Sequence, residues 1–197
     1  MTSVLAHMRL ETQYEVKTTP SAPGEHIDGF MSSQELWWLY RTAAKMSSII
    51  EIGSWQGRST YALCKGCPGT VYAVDHFRGS KEHQDYIKAG LRPFEAFQKN
   101  MKEFTNLVVV PKSSAEAWND PLIPQQVDMV FIDGSHTYID FMDDLLLWGP
   151  RATKLLCGHD RSYSEIIQAL AELNLPWQRC ADSIWCTIDR SNYAPLS

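Results

Sequence analysis

The chain has 197 residues, enough for one domain, and its 44% hydrophobic and 21% charged residues exclude a disordered protein. The formal net charge is −5, and no run of five or more Lys and Arg residues occurs. We therefore expect no nucleic-acid partner, because duplex binding needs a basic face.

The first 27 residues are polar and contain Pro20, Pro23 and Gly24. We predict a flexible N-terminal arm over residues 1–27 and a single domain over residues 28–197. No apolar stretch approaches the length of a membrane span, and the first ten residues do not resemble a secretory leader. We therefore expect a cytoplasmic protein without a membrane partner.

The predicted elements then alternate along the chain. The first is a helix that begins at the Ser32-Ser33-Gln34-Glu35 capping box and continues to about Lys45. Short apolar runs predict seven strands, over residues 48–52, 70–74, 106–110, 127–132, 154–157, 177–180 and 184–188. Helices are predicted over residues 59–64, 81–104, 115–118, 138–148 and 164–173. This alternation indicates an α/β fold with a doubly wound, mostly parallel sheet.

Ligands of such sheets bind outside the carboxyl ends of the strands. Polar or glycine-rich segments follow five of the predicted strands: residues 51–57, Asp75, Ser113–Ser114, residues 133–136 and His159–Asp160. We expect the functional residues in these segments. The acidic residues of the helix over 138–148, by contrast, are expected to form a solvated face: Asp140, Asp143 and Asp144.

The loop after the first strand has the pattern Glu51-x-Gly53-x-x-x-Gly57 and precedes a helix. Gly53 allows a tight turn and Gly57 a close approach of the backbone to a ligand. The loop lacks the G-x-G-x-x-G pattern of dinucleotide sites, and Trp55 and Gln56 stand where a pyrophosphate needs small residues. The pattern therefore favours a ligand without a diphosphate.

Two later strand ends extend this hypothesis. Asp75 is suited to accept both hydroxyls of a ribose, although a helix cap or turn is the alternative. Ser113, Ser114 and Glu116 could reach an adenine edge, with an ST-turn or helix cap as the alternative.

The five cysteines are expected to be free thiols in a reducing compartment. Cys64-Lys65-Gly66-Cys67 has the spacing of a redox or half-zinc motif, but no second C-x-x-C occurs. We therefore favour a structural role for this pair.

Four segments together resemble one protein family. They are residues 49–60, Val74-Asp75-His76-Phe77, Phe131-Ile132-Asp133-Gly134-Ser135-His136-Thr137-Tyr138 and Gly158-His159-Asp160. They are similar to class I S-adenosylmethionine-dependent methyltransferases, especially the subgroup of cephalosporin-hydroxylase-like proteins and macrolide sugar O-methyltransferases. The resemblance covers about residues 27–188. It implies a Rossmann-like sheet of seven strands in the order 3-2-1-4-5-7-6, with helices on both faces and the last strand antiparallel.

The resemblance also implies S-adenosylmethionine as the cofactor. Glu51 and Gly53 would lie by its amino-acid moiety, Asp75 on its ribose and Ser114 near its base. The full predicted cofactor set is Glu51, Gly53, Ser54, Gly57, Ser59, Asp75, His76, Ser114 and Asp133.

Asp133 and Asp160 end two predicted neighbouring strands, so their carboxylates are expected to converge and could bind Mg²⁺ or another divalent cation. In the sugar O-methyltransferases an Asp-x-x-His pattern supplies a metal ligand and the proposed base. The resemblance carries these roles to Asp133 and His136. The predicted catalytic residues are thus His136, Asp133 and Asp160, although a buried or capping role for His136 is the alternative.

The chain departs from that subgroup at His159, where the metal-dependent sugar enzymes have an acidic residue. A mixed site of Asp133, His159 and Asp160 would favour Mn²⁺, Fe²⁺ or Zn²⁺ over Mg²⁺. The alternative is a site without metal in which His159 orients the substrate.

Our leading hypothesis is O-methylation of a hydroxyl group on a small metabolite. The alternatives are an NAD-type Rossmann oxidoreductase and a non-catalytic cofactor-binding protein. The sequence leaves a homo-oligomer open.

Overall fold

The computed structural model of the protein describes residues 20–80 and 83–187. Residues 1–19 of the predicted arm, and Ile188 at the end of the last predicted strand, lie outside this range. The described residues form a seven-stranded sheet of order β3-β2-β1-β4-β5-β7-β6, so the predicted order is confirmed.

The strands have the following bounds: β1 Ser48–Ile52, β2 Thr70–Val74, β3 Leu107–Val110, β4 Val127–Ile132, β5 Ala152–Gly158, β6 Trp177–Ala181 and β7 Ile184–Thr187. The first five strands pair in parallel, whereas β7 runs antiparallel to both β5 and β6. In-register pairs such as Ile52 with Val74 and Ile52 with Ile132 bring the carboxyl ends of β1, β2 and β4 to one edge.

The helices have the following bounds: α1 Ser33–Ala43, α2 Arg58–Gly66, α3 Gln84–Lys88, α4 Pro93–Met101, α5 Ser114–Ala117, α6 Tyr138–Trp148 and α7 Ser164–Glu172. The single helix predicted over 81–104 is wrong, because the described part of this stretch contains two helices. Gly90, at φ +102°, follows α3, and Pro93 begins α4 at the first helical position. None of the helices in the described ranges has the length and apolarity that a membrane span requires.

Helices cover both faces of the sheet and enclose two hydrophobic cores. On one face Leu36 and Leu39 of α1 pack with Leu63 of α2 and Phe97 of α4. On the other face α6 and α7 pack through residues such as Trp148 and Leu170. The alternation along β1 explains this division, since Ile49 faces the first core and Ile50 the second.

The described end of the predicted arm packs on the domain. Ala22 and Ile27 are buried, and Arg58 of α2 donates to the backbone carbonyls of Glu25, Ile27 and Met31. Residues 20–27 are therefore docked on α2.

Three of the five cysteines are buried free thiols: Cys64, Cys67 and Cys157. Burial raises the pKa of Cys64 and Cys67, which makes both poor metal ligands and redox groups and supports the structural role. Cys180 of β6 and Cys186 of β7 form a disulfide, so the expectation of five free thiols is wrong for this pair.

Candidate functional site

Two adjoining cavities open at the carboxyl ends of the strands. The smaller, of about 210 Å³, is lined by residues that include Phe30, His136 and Tyr163, and we name it the His136 cavity. The larger, of about 510 Å³, is lined by residues that include Asp75 and Ser114, and we name it the Asp75 cavity. Both cavities are lined by Gly53, Trp55, His83, Asp133 and Gly134. They meet where the loop after β1 touches the end of β4.

The two glycines of this loop act differently. Gly53 has φ +88°, and a Cβ atom there would lie 2.1 Å from the backbone oxygen of Asp133. Gly53 therefore allows the loop to touch the end of β4. Gly57, at φ +93°, precedes α2, and a Cβ atom would face Met101 and Phe97. Gly57 lies outside the linings of both cavities and shapes the loop rather than the cavity surface.

Glu51 supports the loop from beneath. It is fully buried, and its Oε2 accepts hydrogen bonds from Ser54 Oγ at 2.7 Å and Thr60 Oγ1 at 2.5 Å. Among the described residues its Oε1 has no hydrogen-bond partner. Burial raises the pKa of Glu51 from 4.5 to about 7, against the lowering effect of its hydroxyl partners, which include Ser59. Ser54 and Ser59 themselves line the His136 cavity.

Asp75 joins the loops that follow β1 and β2. Its Oδ2 accepts from the backbone N–H groups of Ser54 at 2.9 Å and Trp55 at 2.7 Å, and its Oδ1 accepts from that of Phe77 at 2.5 Å. A carboxylate has about four lone-pair sites, so further acceptor capacity remains toward the Asp75 cavity. His76 lies beside it on the cavity wall and accepts a hydrogen bond at Nδ1 from the backbone of Arg78.

The far wall of the Asp75 cavity is formed by α5 and α6. Ser113 caps α5 in a capping box with Glu116, as the structural alternative for these two residues predicted. Ser114 lines the cavity and hydrogen-bonds to Asp144. Burial raises the pKa of Asp144 from 3.8 to about 6.

The expectation that Asp144 belongs to a solvated acidic face is wrong, because this residue is only 5% exposed. Asp140 and Asp143 are exposed, as expected. The sequence did contain a signal for Asp144, because Phe141, Asp144, Leu145 and Trp148 share one helical face.

The His136 cavity contains a cluster of carboxylates around a buried histidine. The Nδ1 atom of His159 lies 3.1 Å from Asp160 Oδ2 and 3.4 Å from Asp133 Oδ1. Its Nε2 atom lies 3.0 Å from Glu35 Oε1. Burial alone would lower the pKa of His159, but the Asp133 charge and hydrogen bonds to all three carboxylates raise it far above its usual range. The contacts of both ring nitrogens with carboxylate oxygens favour the imidazolium form of His159, in which both nitrogens donate.

Glu35 is a site residue that sequence reasoning missed. Its Oε2 completes the predicted capping box by accepting from the backbone of Ser32, while Oε1 accepts from His159 and from the backbone of Ser183. It is 2% exposed. Only the capping role was visible in the sequence, since His159 is 124 positions away.

His136 and Asp160 form a close pair on the opposite side of the cluster. Their Nε2 and Oδ2 atoms are 2.6 Å apart, and the His136 ring stacks on Tyr163 with centroids 4.7 Å apart. Burial opposes ionisation of Asp160, but hydrogen bonds from His136 and His159 outweigh it and lower its pKa. The carboxylate is therefore ionised and fixes the direction of the His136 ring.

Three residues at the strand ends hold left-handed backbones that favour glycine: Trp55 at φ +46°, Phe77 at +55° and Asp160 at +58°. They follow β1, β2 and β5 respectively. Such strain persists only where the surroundings impose it, and it is common at functional sites.

The donor set of Asp133, His159 and Asp160 is compatible with a divalent cation. One potential ligand atom from each of them lies within 4.8 Å of the others. The contact of His159 Nε2 with Glu35 is the support that a metal-bound histidine usually has. Binding would require His159 to release its Nδ1 proton. One imidazole nitrogen with two carboxylates favours Mn²⁺, Fe²⁺ or Zn²⁺ over Mg²⁺.

Several solved structures share this fold. The methyltransferase PaMTH1 from Podospora anserina, bound to S-adenosylhomocysteine, has a TM-score of 0.58 and 14% identity, with 81% of this chain and 80% of that chain covered. The O-methyltransferase TomG from Streptomyces achromogenes, involved in tomaymycin synthesis and bound to S-adenosylmethionine, has a TM-score of 0.59 and 11% identity over 82% of each chain. CalS11, a TDP-rhamnose 3'-O-methyltransferase of calicheamicin biosynthesis, has a TM-score of 0.53 and 14% identity, with 78% of this chain and 76% of that chain covered.

A family described as "Methyltransferase domain" matches residues 50–160. The match runs from within β1 to Asp160, so it contains the loop after β1, the ends of β2 and β4 and the His136–Asp160 pair. Because it spans more than half of the chain, the protein belongs to this methyltransferase family.

Proposed function

We propose that the protein transfers a methyl group from S-adenosylmethionine to a hydroxyl group of a small metabolite. The observation that carries this proposal is the junction of the two cavities at Gly53 and Asp133, with the His136–Asp160 pair just beyond it. The larger cavity has the volume and polar wall for an adenosine group. The smaller one would hold the reacting hydroxyl.

The cofactor assignment rests on the Asp75 cavity. Asp75 is placed for the ribose hydroxyls, and Ser114 with Asp144 for the base. Gly53 at the junction, with Ser54 and Ser59 of the His136 cavity, would surround the amino-acid moiety, which would therefore enter that cavity. Bound S-adenosylmethionine or S-adenosylhomocysteine in the solved structures of similar fold supports this placement.

The chemistry assigned to the His136 cavity is a direct displacement. The hydroxyl oxygen forms a bond to the methyl carbon, the carbon–sulfur bond breaks, and its electron pair stays on sulfur. His136 accepts the hydroxyl proton at Nδ1, because its Nε2 faces Asp160 Oδ2, and substrate binding has to open access to Nδ1, which is buried. Asp160 stabilises the resulting positive charge. Alignment of oxygen, carbon and sulfur by the cavity walls supplies much of the rate enhancement.

A divalent cation, when held by Asp133, His159 and Asp160, would lower the pKa of the hydroxyl group. When no cation is bound, the imidazolium of His159 neutralises part of the negative charge of Asp133 and Asp160.

Titration calorimetry with S-adenosylmethionine and S-adenosylhomocysteine tests the proposal. We expect binding in the micromolar range, and no heat at millimolar ligand would refute it. A thermal-shift assay with NAD serves as the comparison. Stabilisation by NAD alone would instead support the oxidoreductase alternative, which the family match does not favour.

A further inference from the structure

The walls of the His136 cavity are aromatic. On one side Trp55 stacks on His83, with ring centroids 4.0 Å apart and planes inclined by 22°, and Phe30 lies 5.6 Å from the same His83 ring. On the other side His136 stacks on Tyr163 at 4.7 Å and 21°. The facing surfaces within each stack are occupied, so the cavity offers a ligand the remaining faces and the edges of these lining rings beside the proposed base.

Aromatic side chains also stand exposed at its rim. Phe30 is 67% exposed, Tyr86 52% and Tyr163 40%, and Phe30 contacts the Tyr86 ring. These are three of the seven large hydrophobic residues that are exposed in the described part of the chain. Exposed apolar side chains around a cavity mark a ligand surface more often than chance exposure does.

The charges of the cavity disfavour an anionic ligand. Arg58 is the single Lys or Arg among the described residues that line it, and Arg58 donates to the carbonyls of Glu25, Ile27 and Met31. The positive charge of His159 is shared among three carboxylates. A phosphate, carboxylate or nucleotide-linked sugar would thus meet the carboxylates of Asp133 and Asp160, with the guanidinium of Arg58, which already donates through Nε and Nη1, as the one Lys or Arg of the described lining to pair with.

The volume limits the size of the ligand. The His136 cavity of about 210 Å³ would also receive the amino-acid moiety of the cofactor, so the space left inside the rim suits at most one small ring, since a cavity of about 150 Å³ holds one benzene ring. A larger ligand would have to extend past the rim.

We propose that the methyl acceptor is a planar aromatic compound with a phenolic hydroxyl and no negative charge, bound between the Trp55–Phe30 wall and the His136–Tyr163 wall. This inference rests on the proposed function. Aromatic rings gain stacking energy from such walls, which a saturated sugar ring does not.

The test measures binding of four probes to the full chain saturated with S-adenosylhomocysteine. The probes are 4-methylcatechol, dopamine, protocatechuate and methyl α-rhamnopyranoside, which differ in charge or in planarity. We expect 4-methylcatechol and dopamine to bind at least tenfold more tightly than the rhamnoside. Protocatechuate, which carries a carboxylate, should bind at least tenfold more weakly than 4-methylcatechol.

Two variants test whether the preference for aromatic probes comes from the aromatic wall. Phe30→Ala should weaken binding of 4-methylcatechol by about five- to tenfold and leave the rhamnoside unchanged. Leu122→Ala is the matched control, because Leu122 is 59% exposed and lies outside both cavity linings. It should leave the affinities for 4-methylcatechol and for the rhamnoside unchanged.

Tighter binding of the rhamnoside or of protocatechuate than of 4-methylcatechol would overturn the inference, as would an unchanged affinity in Phe30→Ala or no binding of any aromatic probe. These outcomes leave the proposed function standing if S-adenosylhomocysteine binds. Absence of S-adenosylhomocysteine binding instead removes the proposed function and this inference together.

Discussion

The two cavities are built in different ways. The Asp75 cavity is shaped largely by backbone: Gly53 touches the end of β4, and Asp75 accepts from the N–H groups of Ser54, Trp55 and Phe77. The His136 cavity is shaped by side chains that come from distant parts of the chain, such as Phe30, His83 and Tyr163. A backbone-defined cavity tolerates change in most side chains and suits a shared cofactor. A cavity defined by side chains can change its ligand through single substitutions.

The largest effect should come from His136→Ala in the His136 cavity. Removal of the proposed base should lower kcat by about 10²- to 10⁴-fold, the range for general-base catalysis. The affinity for S-adenosylhomocysteine should stay within about twofold, because the Asp75 cavity is left intact. Methyl transfer from labelled S-adenosylmethionine to 4-methylcatechol measures kcat, and calorimetry measures the affinity for S-adenosylhomocysteine. An equal loss of cofactor affinity would show that the two cavities do not act separately.

Next in size is the substitution Glu35→Gln, which removes the carboxylate charge that faces His159. Leaving a buried charge unpaired destabilises a protein by about 3 to 5 kcal/mol, and the loss in Glu35→Gln should be smaller than this because Asp133 and Asp160 still face His159; urea unfolding measures it. Glu116→Gln is the matched control, since Glu116 completes a capping box of the same design on exposed α5. Glu116→Gln should lower the free energy of unfolding much less than Glu35→Gln does. Similar losses in both variants would mean that the His159 contact adds nothing beyond capping.

The pH dependence of stability provides the third prediction. The pKa of Glu51 is raised from 4.5 to about 7 on folding, so the folded state holds a proton that the unfolded state has released between these values. The free energy of unfolding should therefore fall as pH rises from 4.5 through 7. Glu51→Gln should reduce this fall to the part contributed by Asp144 and His159, whose pKa values are also raised on folding, and be more stable than the parent chain by about 3 kcal/mol at pH 8.

Urea unfolding at pH 4.5, 6 and 8 measures this difference. Glu95→Gln, at an exposed position on α4, is the control and should leave the pH profile unchanged. A parent profile that rises between pH 4.5 and 7 in step with Glu51→Gln would contradict the prediction.

The smallest effect is expected from Ser114→Ala in the Asp75 cavity. Loss of one hydroxyl contact should weaken S-adenosylhomocysteine binding by about two- to tenfold and leave kcat unchanged. Ser164→Ala, at the equivalent first position of α7, should have no effect on affinity. If the two variants bind alike, Ser114 does not contact the cofactor.

The sequence predicted the sheet well because its signals are local. Apolar runs such as residues 127–132 match β4 residue for residue, and the strand order is confirmed. The missed division between α3 and α4 was also a local signal, since Gly90 and Pro93 mark it. The sequence also predicted correctly that the loop containing Gly53 and the residue after β2, Asp75, lie at the same edge of the sheet.

The cluster around His159 could be predicted only in part. Asp133, His159 and Asp160 follow neighbouring strands, so their convergence was expected and is observed. The contribution of Glu35 depends on how α1 packs, and no spacing rule connects it with His159. Glu35 faces Nε2 in both the cationic and the metal-bound form of His159, and the two forms differ in the Nδ1 proton, which faces Asp133 and Asp160.

The left-handed backbones of Trp55, Phe77 and Asp160 have a consequence for engineering the protein. Glycine or asparagine relieves strain at such positions, so a selection for thermostability alone would favour replacing Trp55, which lines both cavities. At the other two positions the side chain opposes replacement, because Phe77 packs on Phe94 and Phe97 and Asp160 pairs with His136 and His159. Directed evolution of a more robust catalyst should therefore keep these three positions fixed and look for stability elsewhere.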